Sequence, residues 1–205
     1  MTAPKLIVFD IGNVLVRFDP MAVYRTLLPA PAESHPLWER VDLHAMNVLG
    51  DLNGDLAAEV AAAAAAHPED HDLIVAWIEQ WERMFAPEIP GVADILRRVK
   101  ALGLPVAALS NFAADTYLRG REMYPVLREF DHEFISGRVN LAKPEPAFYA
   151  LLERETGFAG ADIFFVDDRP ENILEADRRG WRTHHFTEGA DALTAALGSC
   201  GLALG

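Results

Sequence analysis

Two apolar runs, far apart in the chain, each end in carboxylates. Leu6-Ile7-Val8-Phe9 leads into Asp10, and Phe164-Phe165-Val166 leads into Asp167-Asp168. If these runs are neighbouring parallel strands, three acids converge at one sheet edge. Buried acids that close together are costly without a cation, and a hard divalent ion such as Mg²⁺ takes oxygen ligands of this kind. Asp10, at the start of a loop, is then also the nucleophile candidate. A carboxylate can attack phosphorus to give an aspartyl-phosphate that water hydrolyses. Taken alone, an Asp ending a strand reads equally well as a turn residue. Asp167-Asp168 could likewise cap a helix after Pro170, but one acid would serve for that and the second would be unexplained.

The elements that must position these acids follow from apolar patterning. Residues 5–9 read as a strand buried on both faces of a parallel sheet. Residues 20–28 predict a short helix and 29–36 a proline- and alanine-rich loop. From 37 to 85 the pattern is helical, with no strand signal between 20 and 86. Within that stretch, Asp51-Leu52-Asn53-Gly54-Asp55 reads as a turn capping a helix over 56–66. The alanine run at 61–66 favours helix and close helix packing. Residues 73–85 read as one helix carrying Trp77 and Trp81 one turn apart, a spacing that suits a core more than a sugar site. After Pro87 the rhythm alternates. Helices are expected over 91–102, after 111, and over 144–156, 171–179 and 191–197; strands over 104–109, 133–136, 162–166 and 182–186. Alternation of this kind implies an α/β fold, a doubly wound parallel sheet, here with a small all-helical cap inserted after the first strand. The expected division is 1–19 and 87–205 for the α/β core and 20–86 for the helical cap. Sites in such sheets lie beyond the carboxyl ends of the strands, where Asp10, Ser110 and Asp167-Asp168 all fall.

Composition bounds the rest. The chain has 205 residues, 51% of them hydrophobic, with four Trp and eleven Phe, enough for a substantial core. The formal charge of −13 argues against nucleic acid or an anionic membrane as partner and means that a phosphate pocket needs its own local cations. The one cysteine, Cys200, cannot form an intrachain disulfide, which suits a reducing cytoplasm. No apolar run approaches the ~18–20 residues of a membrane span, and no signal-peptide pattern precedes the first strand.

Four pieces in fixed order, FDIGNVL with Asp10, LSN with Ser110, AKPEP with Lys143 and FFVDDRPENI with Asp167 and Asp168, resemble the haloacid dehalogenase (HAD) superfamily of phosphatases. The resemblance spans roughly 5–19 and 87–190, and the FD-x-GNV-x-V-x-FD string looks like the glucose-1-phosphate phosphatase-like branch. It implies a Rossmann-like core, a helical cap and a Mg²⁺-dependent phosphatase acting on a small-molecule phosphate ester, a sugar phosphate by the branch. In that reading Asp10 is the nucleophile. Asp10, Asp168 and the Gly12 carbonyl hold Mg²⁺, with Asp167 a further ligand or an acceptor orienting a bound water. Ser110 and Asn111 donate to phosphate oxygens. Lys143 places an ammonium between phosphate and Asp10, and Pro144 stiffens the start of the following helix. Backbone N–H groups of Ile11, Gly12 and Asn13 cradle the phosphate. Arg17 is a candidate local cation, although a surface ion pair explains it as well. Arg169 could touch substrate or cap, and Asn172 could bond one of the acids.

One position departs from the pattern. Most phosphatases of the superfamily carry Asp two residues after the nucleophile as general acid–base, and this chain has Gly12. Such a group is worth roughly 10²–10⁴-fold in rate, so leaving groups that depart unaided, an anomeric oxygen or a phenol, are expected to be preferred. A cap residue could substitute, with His44, Asp42 and Glu39 as candidates. Two alternatives stand beside the phosphatase: a 2-haloacid dehalogenase, which would have no use for paired acids after the fourth strand, and a binding or regulatory protein that kept the fold but lost the chemistry. The oligomeric state stays open.

Overall fold

The computed structural model of the protein describes residues 3–204. Along the chain the elements are β1 (Leu6–Phe9), β2 (Val16–Phe18), α1 (Met21–Leu27), α2 (Leu37–Arg40), α3 (Leu43–Asn53), α4 (Leu56–Ala66), α5 (His71–Glu79), α6 (Trp81–Met84), β3 (Phe85–Glu88), α7 (Val92–Ala101), β4 (Val106–Ser110), α8 (Ala114–Met123), β5 (His132–Ile135), α9 (Ser136–Val139), α10 (Pro146–Thr156), β6 (Ile163–Asp167), α11 (Pro170–Arg178), β7 (Arg182–His185) and α12 (Ala190–Ser199).

Five strands form a parallel sheet in the order β5-β4-β1-β6-β7. The first strand is central, and the chain builds one side before returning to build the other, so the strand order reverses beside β1. Alternation along each strand splits the core into two layers. Ile7, Phe9, Val106, Ala108, Phe164 and Val166 pack on one face together with α7 and α12. Leu6, Val8, Ala107, Leu109, Ile163 and Phe165 pack on the other with α10. Covering both faces is what makes the strands read as unbroken apolar runs. Phe9 lies opposite Val166 in the β1–β6 ladder, and the Asp10 N–H bonds the Val166 carbonyl at 2.9 Å. Asp10 and Asp167 therefore leave adjacent strands at the same level.

The segment between β2 and β3 is helical, and its apolar residues, among them Tyr24, Leu37, Val41, Met46, Trp77 and Trp81, join the same hydrophobic cluster as one face of the sheet. Acidic residues start its longer helices: Asp42 accepts from the Ala45 N–H and Asp55 from the Ala58 N–H, satisfying donors that a helix start leaves unpaired. Four expectations need correction. Residues 51–53 continue α3, and the turn is Gly54, whose φ of +88° closes that helix. Residues 73–85 are not one helix, for the chain breaks between α5 and α6. In the alanine run only Ala64 is buried, continuing the stripe of Leu56 and Val60, so the run is mostly a solvent-facing side of the helix. The absence of strand signal between 20 and 86 hid the start of β3, which pairs antiparallel with β2 as a two-stranded ribbon. Two short segments remote in sequence stabilise each other there, and neither carries enough alternation to be read alone. The ribbon stands where the expected domain boundaries fall. Among the described residues, no helix is long and apolar enough to cross a membrane.

Candidate active site

The acids meet as expected. Ligand atoms of Asp10, Asp167 and Asp168 all lie within 4.8 Å of one another. Each is delivered by the end of β1 or β6, and the third strand end, Ser110 of β4, joins them. Asp10 is 7% exposed. Its Oδ1 accepts from the Ile11 N–H and the Ser110 hydroxyl, both at 2.7 Å, and its Oδ2 meets the Lys143 Nζ at 2.8 Å. Oδ1 thus has two donors and Oδ2 one, so Oδ2 is the oxygen with a lone pair to spare.

Lys143 is buried and bridges Asp10 and Asp167, its Nζ 2.6 Å from Asp167 Oδ2. Burial pushes its ammonium towards neutrality, but the charges and hydrogen bonds of the two acids more than offset this, holding its pKa above the ordinary value. Asn111 fixes it in place: the Asn111 side chain donates to the Lys143 carbonyl at 2.9 Å and accepts from the Lys143 N–H at 2.7 Å. One Asn111 N–H and the amide oxygen are thus committed to positioning Lys143, while Asn111 itself still lines the cavity. The helix after Lys143 starts at Pro146, so Pro144 lies in the preceding loop.

Asp167 is fully buried and saturated. Its Oδ2 takes Lys143, and its Oδ1 takes the Arg169 N–H at 2.8 Å and the Asn172 amide at 2.9 Å. Burial raises its pKa, against the pull of Lys143. Asp168 is only partly buried and lines the cavity. Its Oδ2 accepts from the Asn13 amide at 3.2 Å, and its pKa is raised by burial and then by the charge of Asp10. Three acids against one ammonium leave a formal excess of two negative charges. A hard dication is the group this oxygen donor set fits; Asp10, Asp168 and the adjoining Gly12 carbonyl are the residues that could hold it.

The loop after β1 is less open than expected. The Ile11 N–H goes to Asp10 and the Asn13 N–H to the Val16 carbonyl at 2.7 Å, leaving Gly12 as the one of the three N–H groups without a partner among the described residues. Asn13 stands at φ 55° with its amide oxygen on the Phe18 N–H. Arg17 is misplaced in the sequence reading. Alternation along β2 turns Phe18 into the cavity, while Arg17 is exposed and outside the lining. Arg169 does line it, paired with Glu171.

Above the acids opens a cavity of about 470 Å³. Its far wall comes from the helical segment and the ribbon: Phe18, Val48, Leu52, Trp77, Trp81 and Phe85, with Phe112 from the core. Of the three expected substitutes for the missing acid, His44 reaches this wall, whereas Asp42 is the cap of α3 and Glu39 lies outside it. Sequence reading missed Asp51, a carboxyl on the same wall. Its turn-like surroundings concealed it; the usable signal was Asn47 one helical turn earlier, a spacing that brings two side chains together.

The family description "haloacid dehalogenase-like hydrolase" matches residues 4–178. The chain is 25% identical over 189 residues to the sesquiterpene phosphatase astK of Aspergillus oryzae, covering 91% of this chain and 92% of that protein. It is 33% identical over 92 residues to an (S)-2-haloacid dehalogenase of Pseudomonas fluorescens, covering 43% and 39%. A HAD family enzyme from Bacteroides thetaiotaomicron, crystallised with magnesium and inorganic phosphate, shares the fold with a TM-score of 0.67 at 17% identity, over 88% of this chain and 93% of that one. The chain belongs to the haloacid dehalogenase-like hydrolases.

Proposed function

We propose that this hydrolase is a Mg²⁺-dependent phosphatase in which Asp10 carries the phosphoryl group as an aspartyl-phosphate. The observation behind this reading is the trio of carboxylates within 4.8 Å of one another, with a serine hydroxyl and a buried ammonium on the one at the end of β1. Asp10 attacks through Oδ2 while Ser110 and the Ile11 N–H hold Oδ1. Lys143 neutralises charge on the attacking carboxylate and the incoming phosphate. Mg²⁺, when bound at Asp10, Asp168 and the Gly12 carbonyl, supplies charge neutralisation of the phosphate oxygens. Asp167, with all its oxygens engaged, orients Lys143.

The helical segment 20–86 acts as a cap over this site, and its wall argues for an apolar leaving group. The sequence-based expectation was a sugar phosphate, whose hydroxyls need hydrogen-bond partners. The far wall offers few beyond His44 and Asp51: the Asn47 amide is committed to Trp77 and Asp51, and the Thr116 hydroxyl to the Ala113 carbonyl. Aromatic and aliphatic side chains make up most of the remainder, which favours an alkyl, isoprenoid or aryl phosphate. The Aspergillus oryzae relative, named a sesquiterpene phosphatase, supports the same reading.

The test is phosphate release with Mg²⁺ from long-chain alkyl, aryl and sugar phosphates, beside chloride release from a 2-haloacid with and without EDTA. Apolar esters are expected to exceed sugar phosphates at least tenfold in kcat/KM, a difference of about 1.4 kcal/mol. EDTA-resistant chloride release without phosphatase activity would instead make the protein a dehalogenase.

A further inference from the structure

The family's usual acid position is Gly12, so the alkoxide that leaves phosphorus needs a proton from elsewhere. We propose that Asp51, on the last turn of α3, is the general acid–base of this site; the inference rests on the phosphatase reading and goes beyond it.

Four observations carry the assignment. First, Asp51 lines the same cavity as Asp10, Gly12, Ser110 and Lys143, on the side contributed by the helical segment. Second, it is held to the core although it belongs to the helical segment. Its Oδ1 accepts from the Ala113 N–H at 3.0 Å, three residues beyond Ser110, and its main-chain carbonyl accepts from the Ser136 hydroxyl at 2.6 Å. The carboxyl is thereby registered to the strand end that also fixes Asp10. Third, its orientation is set by a relay. The Trp77 indole donates to the Asn47 oxygen at 3.1 Å, which turns the Asn47 amide nitrogen to Asp51 Oδ2 at 2.9 Å. Such relays lock a reacting group near its working geometry. Fourth, its surroundings favour the protonated form an acid must have. Burial raises its pKa to about 8, the acids Asp115 and Asp10 add to this, and the Ala113 and Asn47 hydrogen bonds only partly oppose it. Among the described residues no base contributes to its shift; His44, seven residues earlier on the same helix, and Lys143 also line the cavity.

The chemistry balances in two steps. Asp10 Oδ2 forms a bond to phosphorus as the P–O bond to the leaving group breaks, and the departing oxygen takes the Asp51 proton, releasing a neutral alcohol. The Asp51 carboxylate then takes a proton from water as the water oxygen bonds phosphorus and the P–O bond to Asp10 breaks. Inorganic phosphate leaves, with Asp10 free and Asp51 protonated again.

The experiment compares Asp51→Asn with the wild type on an alkyl phosphate and on para-nitrophenyl phosphate, with Mg²⁺ present and folding checked by thermal unfolding. The expected result is a loss of about 10²–10⁴-fold on the alkyl ester. On the aryl ester a burst of nitrophenol should precede slow turnover, because that leaving group needs no acid while hydrolysis of the phosphorylated Asp10 still needs the base. The wild type's alkaline loss of kcat should also vanish. Equal losses on both esters with an unchanged pH profile, or a larger effect from His44→Gln, would overturn the assignment. Should the variant fail to fold, the wild type decides: a shallow dependence of rate on leaving-group pKa supports an internal acid, and a steep one refutes it. A wild type that releases phosphate from neither ester would instead sink the phosphatase reading itself.

Discussion

Ser110 donates its hydroxyl to Oδ1 of Asp10 at 2.7 Å, across one hundred residues of chain. The bond joins the ends of neighbouring parallel strands and commits one Asp10 oxygen, leaving the other to Lys143 and the cavity. Ser110→Ala should lower kcat by about 10–100-fold, the worth of a hydrogen bond to a charged group at roughly 1.5–3 kcal/mol. Asp10→Asn should abolish turnover altogether. Steady-state kinetics of the two variants separates orientation of the nucleophile from its loss.

Lys143 lies between two buried carboxylates, 2.8 Å from Asp10 and 2.6 Å from Asp167. Lys143→Met removes the positive charge and leaves both acids uncompensated, which costs about 3–5 kcal/mol for a buried pair broken on one side. Denaturant unfolding should report that loss, and added Mg²⁺ should restore part of it. A variant as stable as the wild type without metal would show that the acids are not held as charges.

Gly12 leaves room for the acid that the resemblance to the superfamily implies at this position. A Cβ built there meets nothing within 4 Å. Gly12→Asp introduced into Asp51→Asn should therefore recover at least tenfold of the lost rate on an alkyl phosphate, since the same proton would come from the other side of the cavity. Failure to recover, in a double variant that folds and binds Mg²⁺, would mean that the missing function of Asp51→Asn is not proton transfer.

Gly54 docks the end of α3 on the core. At φ +88° its Cβ would lie 2.2 Å from the Gly137 carbonyl oxygen, whereas Gly157, which closes α10 at φ +75°, has open space around it. Gly157→Ala should cost only the left-handed backbone penalty, about 1–2 kcal/mol. Gly54→Ala should cost more and also displace Asp51, lowering activity on alkyl phosphates more than on aryl phosphates. Thermal unfolding and the two substrates measure both effects.

Asp51 also makes stability depend on pH. Its pKa is about 8 in the folded protein against an ordinary 3.8, so the folded state holds a proton that the unfolded chain releases. That contribution is complete below about pH 4, declines as pH rises, and is gone above about pH 8. Melting curves of the wild type should fall across this window relative to Asp51→Asn, whose slope lacks the term. Parallel curves would place the Asp51 proton elsewhere.

The amino-acid sequence by itself determined the α/β alternation, the strand-end positions of Asp10, Ser110 and Asp167-Asp168, and the loss at Gly12. Those features are local: apolar period, turn residues and order along the chain carry them without reference to neighbours. Only the tertiary structure decided which polar atom meets which. Asn111 turned to the Lys143 backbone, Asp167 filled every oxygen within the core, and Arg17 took the outward side of a ribbon whose two strands lie far apart in sequence. Asp51 moved from an apparent turn to the cavity wall. Hydrogen-bond partners and the desolvation of a carboxyl depend on distant groups brought together by packing, and no window along the chain contains them.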